Sequence, residues 1–318
     1  MQDKYGRNID YMRVSITDRC NLRCIYCMPE NGVDKKEHKD IISFEEIYKI
    51  VKAAGALGIR KVRYTGGEPL VRKGIVDLIN KTSMINGIKE IAITTNGILL
   101  DDMAGDLKRA GLTRANISLD SLNKEKYKYI TRGGDLNKIF SAIDKCLKIG
   151  LAPLKINTVL MKGINDDEIK SFIELTRELP VSIRFIELMP IGEAVNLNTS
   201  MVKSDEIIKS YSELYEIKDM SNSVARLYKL KNAKGTIGFI SPLSCKFCSS
   251  CNRIRLTASG TIKPCLHSEE EIDIKNYTGD DLKLITKLKE SIFEKPEEHH
   301  LEKDKESKSK RMMFQVGG

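Results

Sequence analysis

Residues 11–28, YMRVSITDRCNLRCIYCM, decide the fold. The first six, YMRVSI, form a β-rich run that reads as a strand. Cys20, Cys24 and Cys27 follow at once, spaced C-x3-C-x2-C. They therefore fall on a loop at the C-terminal end of a strand, where βα folds place their chemistry. Three thiolates within eight residues can hold three irons of a 4Fe–4S cluster. The fourth iron has no local cysteine, and an open metal position is where catalytic sites receive a ligand. Structural zinc wants four protein ligands, and none of the four histidines lies near Cys20.

Further β-rich runs occur at 60–65, 90–95, 113–119, 154–160 and 181–188. Helical stretches separate them. One starts at Ser43 with Glu46 three residues on, a capping box. Others cover 73–84, 100–110, 135–149 and 166–178. Six strands alternating with helices predict right-handed crossovers and a parallel α/β sheet, either open or an incomplete (βα)6 barrel of TIM type. Beyond residue 190 the pattern changes to a helix at 203–215, strands at 224–231 and 235–241, and a helix at 280–294. This predicts an α+β extension. The expected divisions are 1–190, 191–294, and a solvated, charged tail over 295–318 that ends in MMFQVGG.

Composition narrows the class. The chain has 318 residues, 41% of them apolar, enough for a large core. The polar start, MQDKYGRNID, has no apolar signal core, and no stretch is apolar enough to span a bilayer. A soluble, cytoplasmic protein with no membrane partner is expected. The net charge of +9 favours an anionic partner without choosing one. Clustered cysteines in such a chain more often hold metal than form disulfides.

A second group lies in CKFCSSCNRIRLTASGTIKPCLH, residues 245–267. Cys248, Cys251 and Cys265 give C-x2-C-x13-C. With Cys245 or His267 as a fourth ligand this spacing suits a zinc ribbon, and it suits iron–sulfur equally well. Cys146, in the helical AIDKCLKIG, reads as core.

The first motif, with its aromatic residue before the third cysteine, resembles the radical S-adenosylmethionine (SAM) superfamily. The resemblance extends through RYTGGEPLVR, TTNG, NISLDSL, KINTVLMKGIND and FIELMP. With FC-x-x-CN-R-x-RL and the terminal Gly317-Gly318, the chain resembles the GTP 3′,8-cyclase family of molybdenum cofactor biosynthesis from end to end. The resemblance implies two 4Fe–4S clusters. The one on Cys20, Cys24 and Cys27 binds SAM, with Tyr26, Gly67, Ser118 and Met189 in contact with it. The one on Cys248, Cys251 and Cys265 binds the guanine of GTP. Arg13, Arg63, Thr94, Lys155, Arg253, Ile254 and Arg255 match GTP-contacting positions, and Lys61 and Arg184 are further phosphate candidates. SAM cleavage would give a 5′-deoxyadenosyl radical that takes the C3′ hydrogen of the ribose. Ring closure onto C8 would then give 3′,8-cyclo-7,8-dihydroguanosine triphosphate.

No catalytic side chain beyond the cluster-bound SAM is implied. Also implied are an external electron donor, a homodimer, and hand-off to cyclic pyranopterin monophosphate synthase, with no nucleic acid partner. Cys245 departs from the family motif and is read as a bystander, and the glycine tail is expected to reach the site. The rival readings are a radical SAM enzyme with an auxiliary cluster acting on a peptide or RNA, and a non-enzymatic metal module binding nucleic acid.

Overall fold

The computed structural model describes residues 1–33, 40–218, 224–301 and 307–317. Six βα repeats open the fold. The strands are β1 Tyr11–Ser15, β2 Lys61–Thr65, β3 Glu90–Thr95, β4 Arg114–Ser118, β5 Leu154–Leu160 and β6 Val181–Glu187. Between them run α1 Phe44–Ala56, α2 Ile75–Ser83, α3 Leu100–Arg109, α4 Lys124–Thr131, α5 Leu136–Lys148 and α6 Ile169–Glu178. The capping box that starts α1 is made in both directions: Ser43 Oγ accepts from the Glu46 N–H and Glu46 accepts from the Ser43 N–H. Helix α4 departs from the expected pattern. Its sequence, KEKYKYIT, shows little apolar periodicity, but Asn123 caps it by accepting from the Lys126 N–H.

The C-terminal region holds α7 Ser204–Ser210, β7 Tyr215–Ile217, β8 Arg226–Lys229, β9 Thr236–Ile240, β10 Arg253–Leu256, β11 Thr261–Lys263, β12 Ile272–Asp273, α8 Asp281–Phe293 and the one-turn α9 Met313–Val316. It does not stand apart from the barrel. All strands join one sheet in the order β12-β11-β10-β1-β2-β3-β4-β5-β6-β9-β8-β7. β10 pairs parallel with β1, and β9 pairs parallel with β6, so eight parallel strands run side by side. Strand β10 was not legible as a strand, because its RIRL reads as a charged run inside a cysteine segment. The helix expected over 203–215 stops at Ser210, and the chain turns back as β7.

One face of each parallel strand packs under the helices. On β1, Met12 and Val14 are buried in the main core, as are Val62 and Tyr64 on β2 and Leu154 and Ile156 on β5. Cys146 lies in this core on α5, as expected. The intervening positions carry Arg13, Arg63 and Lys155, which face a central cavity. The alternation follows from the period of two along a strand. No helix of the described residues is long and apolar enough to cross a membrane.

Candidate active site

The loop after β1 carries Cys20, Cys24 and Cys27, and all three line the cavity. The backbone of the GGEP turn, Gly66–Pro69, fixes this loop. The Gly67 N–H donates to Thr17 O at 2.7 Å and the Glu68 N–H to Arg19 O at 2.8 Å. A Cβ on Gly66 would lie 2.3 Å from Thr17 O, and one on Gly67 would lie 2.3 Å from Arg19 O. The close approach that these glycines permit is that of the cysteine loop. Glu68 is buried and ties the turn to β3, accepting from the Leu70 N–H, the Thr95 hydroxyl and the Asn96 N–H. Burial pushes its carboxyl up to about 7.

The second group enters from the other end. Cys248 and Cys251 precede β10, and Cys265 follows β11, which runs antiparallel to β10. Because β10 lies parallel to β1 with Tyr11 opposite Arg253, these three sit at the N-terminal end of the sheet, and the first three sit at its C-terminal end. A five-residue strand, roughly 15 Å long, separates the two ends. Cys248, Cys251 and Cys265 line the same cavity, whereas Cys245 is exposed and does not. That placement fits a bystander.

Between the two groups the cavity, about 420 Å³, is strongly cationic. Nine Lys and Arg side chains line it against the acids Glu90, Asp120 and Glu187. They form rows across the strands: Arg255 is opposite Arg13, and Arg13 opposite Arg63. Burial, with Arg255 and Arg63 alongside, pulls Arg13 down to about 9. Burial, followed by Arg184, Arg114 and Arg63, pulls Lys155 down to about 6. Among the described residues, the Nε atoms of Arg63, Arg253 and Arg255 and Thr94 Oγ1 are shielded from solvent and make no hydrogen bond. Buried donors are normally satisfied, and crowded cations repel. An anion with several oxygens relieves both costs, and guanidiniums suit its geometry.

Tyr26, Gly67, Ser118, Met189, Thr94, Lys61 and Arg184 also line this cavity. Ile254 is the exception. It is fully buried in the apolar core, because strand alternation turns Arg253 and Arg255 inward and the residue between them outward. Several lining residues were not singled out from sequence. The ring of Tyr11 lies under the guanidiniums of Arg63 and Arg253, at 5.6 and 5.7 Å. Arg114 pairs with Glu90 at 3.4 Å. Asp120, raised to about 6 by burial, accepts from the Tyr26 hydroxyl at 2.8 Å. His299 meets His267, the fourth-ligand candidate named from the sequence, edge to face with ring centroids 4.7 Å apart. For Tyr11 and Arg114 the strand alternation held the signal. For His299 there was none, since it falls in a charged run.

The C-terminal segment also reaches the cavity. Met313 and Phe314 line it, and the Phe314 backbone works to lower the Cys27 thiol. Gly317 lies against Thr65, where a Cβ would be 2.2 Å from Thr65 Cγ2. Gly318 lies outside the described residues.

The donor sets suit iron–sulfur cubes. Burial raises Cys27 to about 12, and Cys20 and Asp120 push it further the same way, so crowded thiolates here call for a bound cation. Burial also works to raise Cys251, but Lys295, Arg253, the Arg253 N–H and Arg255 hold it below the ordinary thiol value. Among the described residues no three His, Cys, Asp or Glu side chains converge as a single ion needs. A cube does not ask for that, because each cysteine binds its own iron.

Comparison with known proteins agrees with this geometry. Residues 14–176 match the model of the radical SAM superfamily, and residues 181–301 match that of Molybdenum Cofactor Synthesis C. The chain is 59% identical, over the whole of both chains, to a GTP 3′,8-cyclase of Clostridium botulinum. It is 54% identical, again over the whole of both, to one of Clostridium acetobutylicum. In fold it resembles SuiB of Streptococcus suis bound to S-adenosylmethionine, with a TM-score of 0.62 and 14% identity, covering 85% of this chain and 64% of that one. Three cysteines on the loop after the first strand of a partial barrel, within a matched superfamily region and a full-length likeness, place this chain in the radical SAM superfamily and, within it, in the family of the GTP 3′,8-cyclases.

Proposed function

We infer that this protein is a GTP 3′,8-cyclase, a radical SAM enzyme converting GTP to 3′,8-cyclo-7,8-dihydroguanosine triphosphate in molybdenum cofactor biosynthesis. One observation carries the reading: a single cavity has a three-cysteine group at each end and a row of arginines between them. The superfamily brings a 4Fe–4S cluster and SAM. In this reading Cys20, Cys24 and Cys27 hold that cluster, and Tyr26, Gly67, Ser118 and Met189 surround SAM. Cys248, Cys251 and Cys265 hold a second cluster beside the purine. Bound there, the first cluster and SAM supply the reducing electron and the hydrogen-atom abstraction, chemistry that belongs to the cofactor.

The chain's own residues bind, orient and enclose. Arg13, Arg63, Arg253 and Arg255 face the triphosphate with fixed forks of donors, and Thr94 offers its hydroxyl. Burial and the neighbouring arginines hold Lys155 near 6. Phosphate oxygens nearby favour its protonated form, so GTP arrives with a proton. Two strands set the spacing of Arg13 and Arg255, so the nucleotide meets a preformed site and little ordering is left to binding. Met313 and Phe314 close the wall beside Cys27 and keep water from a reactive intermediate. An external reductant, a homodimer and delivery to cyclic pyranopterin monophosphate synthase complete the proposal.

The test is anaerobic reconstitution followed by incubation with SAM, GTP and a reductant. The expected result is a cyclised nucleotide with the parent chain. With Cys248→Ser, 5′-deoxyadenosine should still form while cyclisation is lost. Cyclisation that survives intact in Cys248→Ser would remove the second cluster from the substrate site.

A further inference from the structure

Arg7 lies ahead of β1, away from the cavity wall. Its side chain is buried, and all five of its N–H donors are placed. Nε donates to Asp3 Oδ2 at 2.6 Å. Nη1 donates to the carbonyls of Cys248 at 3.0 Å and Glu297 at 2.7 Å. Nη2 donates to the carbonyls of Pro296 at 2.6 Å and Lys295 at 3.4 Å. Asp3 is itself fixed, since its Oδ1 accepts from the N–H groups of Tyr5 and Arg7 at 3.0 and 2.9 Å. The turn Asp3–Arg7 is thus a rigid mount for one guanidinium.

What that guanidinium grips is specific. The Cys248 carbonyl belongs to the loop of the second cysteine group. The other three carbonyls belong to a segment that is tied to both stretches carrying that group. The Lys295 ammonium donates to Pro264 O, next to Cys265, at 2.8 Å. Lys246, two residues before Cys248, donates to the His299 carbonyl at 3.2 Å. This stretch was expected to be a solvated charge run, yet Lys295 and Leu301 are buried. Four carbonyl oxygens converging on one point repel unless a cation sits among them. Lysine is a point charge with three donors and cannot span all four.

We propose that Arg7 is the positioning residue of the second cluster, a latch that holds the Cys248 loop against residues 295–299 so that three thiols present one mouth to the cube. Arg7 does not line the cavity, so its action on that group runs through the backbone it grips. The proposal rests on the reading that Cys248, Cys251 and Cys265 hold a cluster.

The experiment uses the full-length chain, reconstituted anaerobically, as parent, Arg7→Gln and Arg7→Lys. Iron and sulfide are counted, and each cluster is followed by electron paramagnetic resonance with added SAM or GTP. The parent should hold about eight irons. Arg7→Gln should fall to about four, lose the GTP-responsive signal, and keep the SAM-responsive signal with SAM cleavage. Arg7→Lys should retain charge and recover part of the second cluster with an altered signal. Full iron and an unchanged GTP-responsive signal in Arg7→Gln would overturn the role of Arg7 alone. Loss of both clusters together would also overturn it, by showing a general fold requirement. A parent with no second cluster would overturn the underlying reading and this proposal with it.

Discussion

Replacing Gly67 by alanine tests how the first cysteine loop is held. The new Cβ would lie 2.3 Å from Arg19 O, 2.7 Å from Arg19 C and 2.8 Å from Asp18 O. Ordinary contact needs about 1 Å more, and these partners are backbone atoms that cannot rotate away. Residues 18–20 must therefore shift, dragging Cys20 and lengthening the bonds from Gly67 N–H to Thr17 O and from Glu68 N–H to Arg19 O. Overpacking of this kind costs about 1–3 kcal/mol. A misplacement of about 1 Å at a reacting centre costs on the order of 100-fold in rate. The assay is 5′-deoxyadenosine formation by the reconstituted enzyme, alongside thermal unfolding of the same sample. Gly279→Ala is the control, since a Cβ there meets nothing within 4 Å. The expected outcome is a loss of SAM cleavage in Gly67→Ala much larger than its loss of stability, with Gly279→Ala near parent in both. Parent-level cleavage by Gly67→Ala would refute the argument that this turn sets the loop.

Gly317→Ala should displace the C-terminal segment, because its Cβ would meet Thr65 Cγ2 at 2.2 Å. Cyclisation should fall about tenfold or more, and adding Thr65→Ser, which removes that methyl, should restore part of it in a double-mutant cycle; strict additivity would argue against the contact. For Lys155, the sign follows from linkage: burial and neighbouring cations pull its amine down to about 6 and phosphates raise it, so GTP binding takes up a proton above pH 6. Affinity should then weaken as pH rises from 6, by up to about tenfold per unit, and calorimetry should show a flatter slope for Lys155→Met than for the parent.

Much of this site could be read from the sequence for one physical reason. In a parallel sheet covered on both faces, strands are apolar throughout. RKVRYT sets Lys61 and Arg63 two apart, and LKINTVL sets Lys155 and Asn157 two apart, each pair around an apolar residue, which is stable only if that face looks into a polar cavity. The cysteine spacing did the same for the first cluster loop. One edge of the sheet, β10 to β12, was not legible, whereas β8 and β9 at the other edge were expected. Strand β10 is short, and its charges look like surface. Its identity comes from pairing with β1, a long-range contact to which local propensity is blind. Without β10 there was also no alternation to show that the Ile254 side chain faces the core between Arg253 and Arg255. The 295–301 stretch was misread because its charge suggested solvent, while Arg7, nearly three hundred residues away, supplies the partner its carbonyls need.

The neighbouring of β1 and β10 has a consequence for biogenesis. Asn252 Nδ2 reaches Asp10 Oδ1 at 2.6 Å although the two are 242 residues apart. The first strand to leave the ribosome therefore waits, with one flank bare, until nearly the last of the chain is synthesised. Such a flank invites pairing with foreign strands, and a topology this non-local assembles slowly. Truncation after the sixth βα repeat would not release a smaller working barrel. It would leave that flank permanently uncovered and a product prone to aggregate.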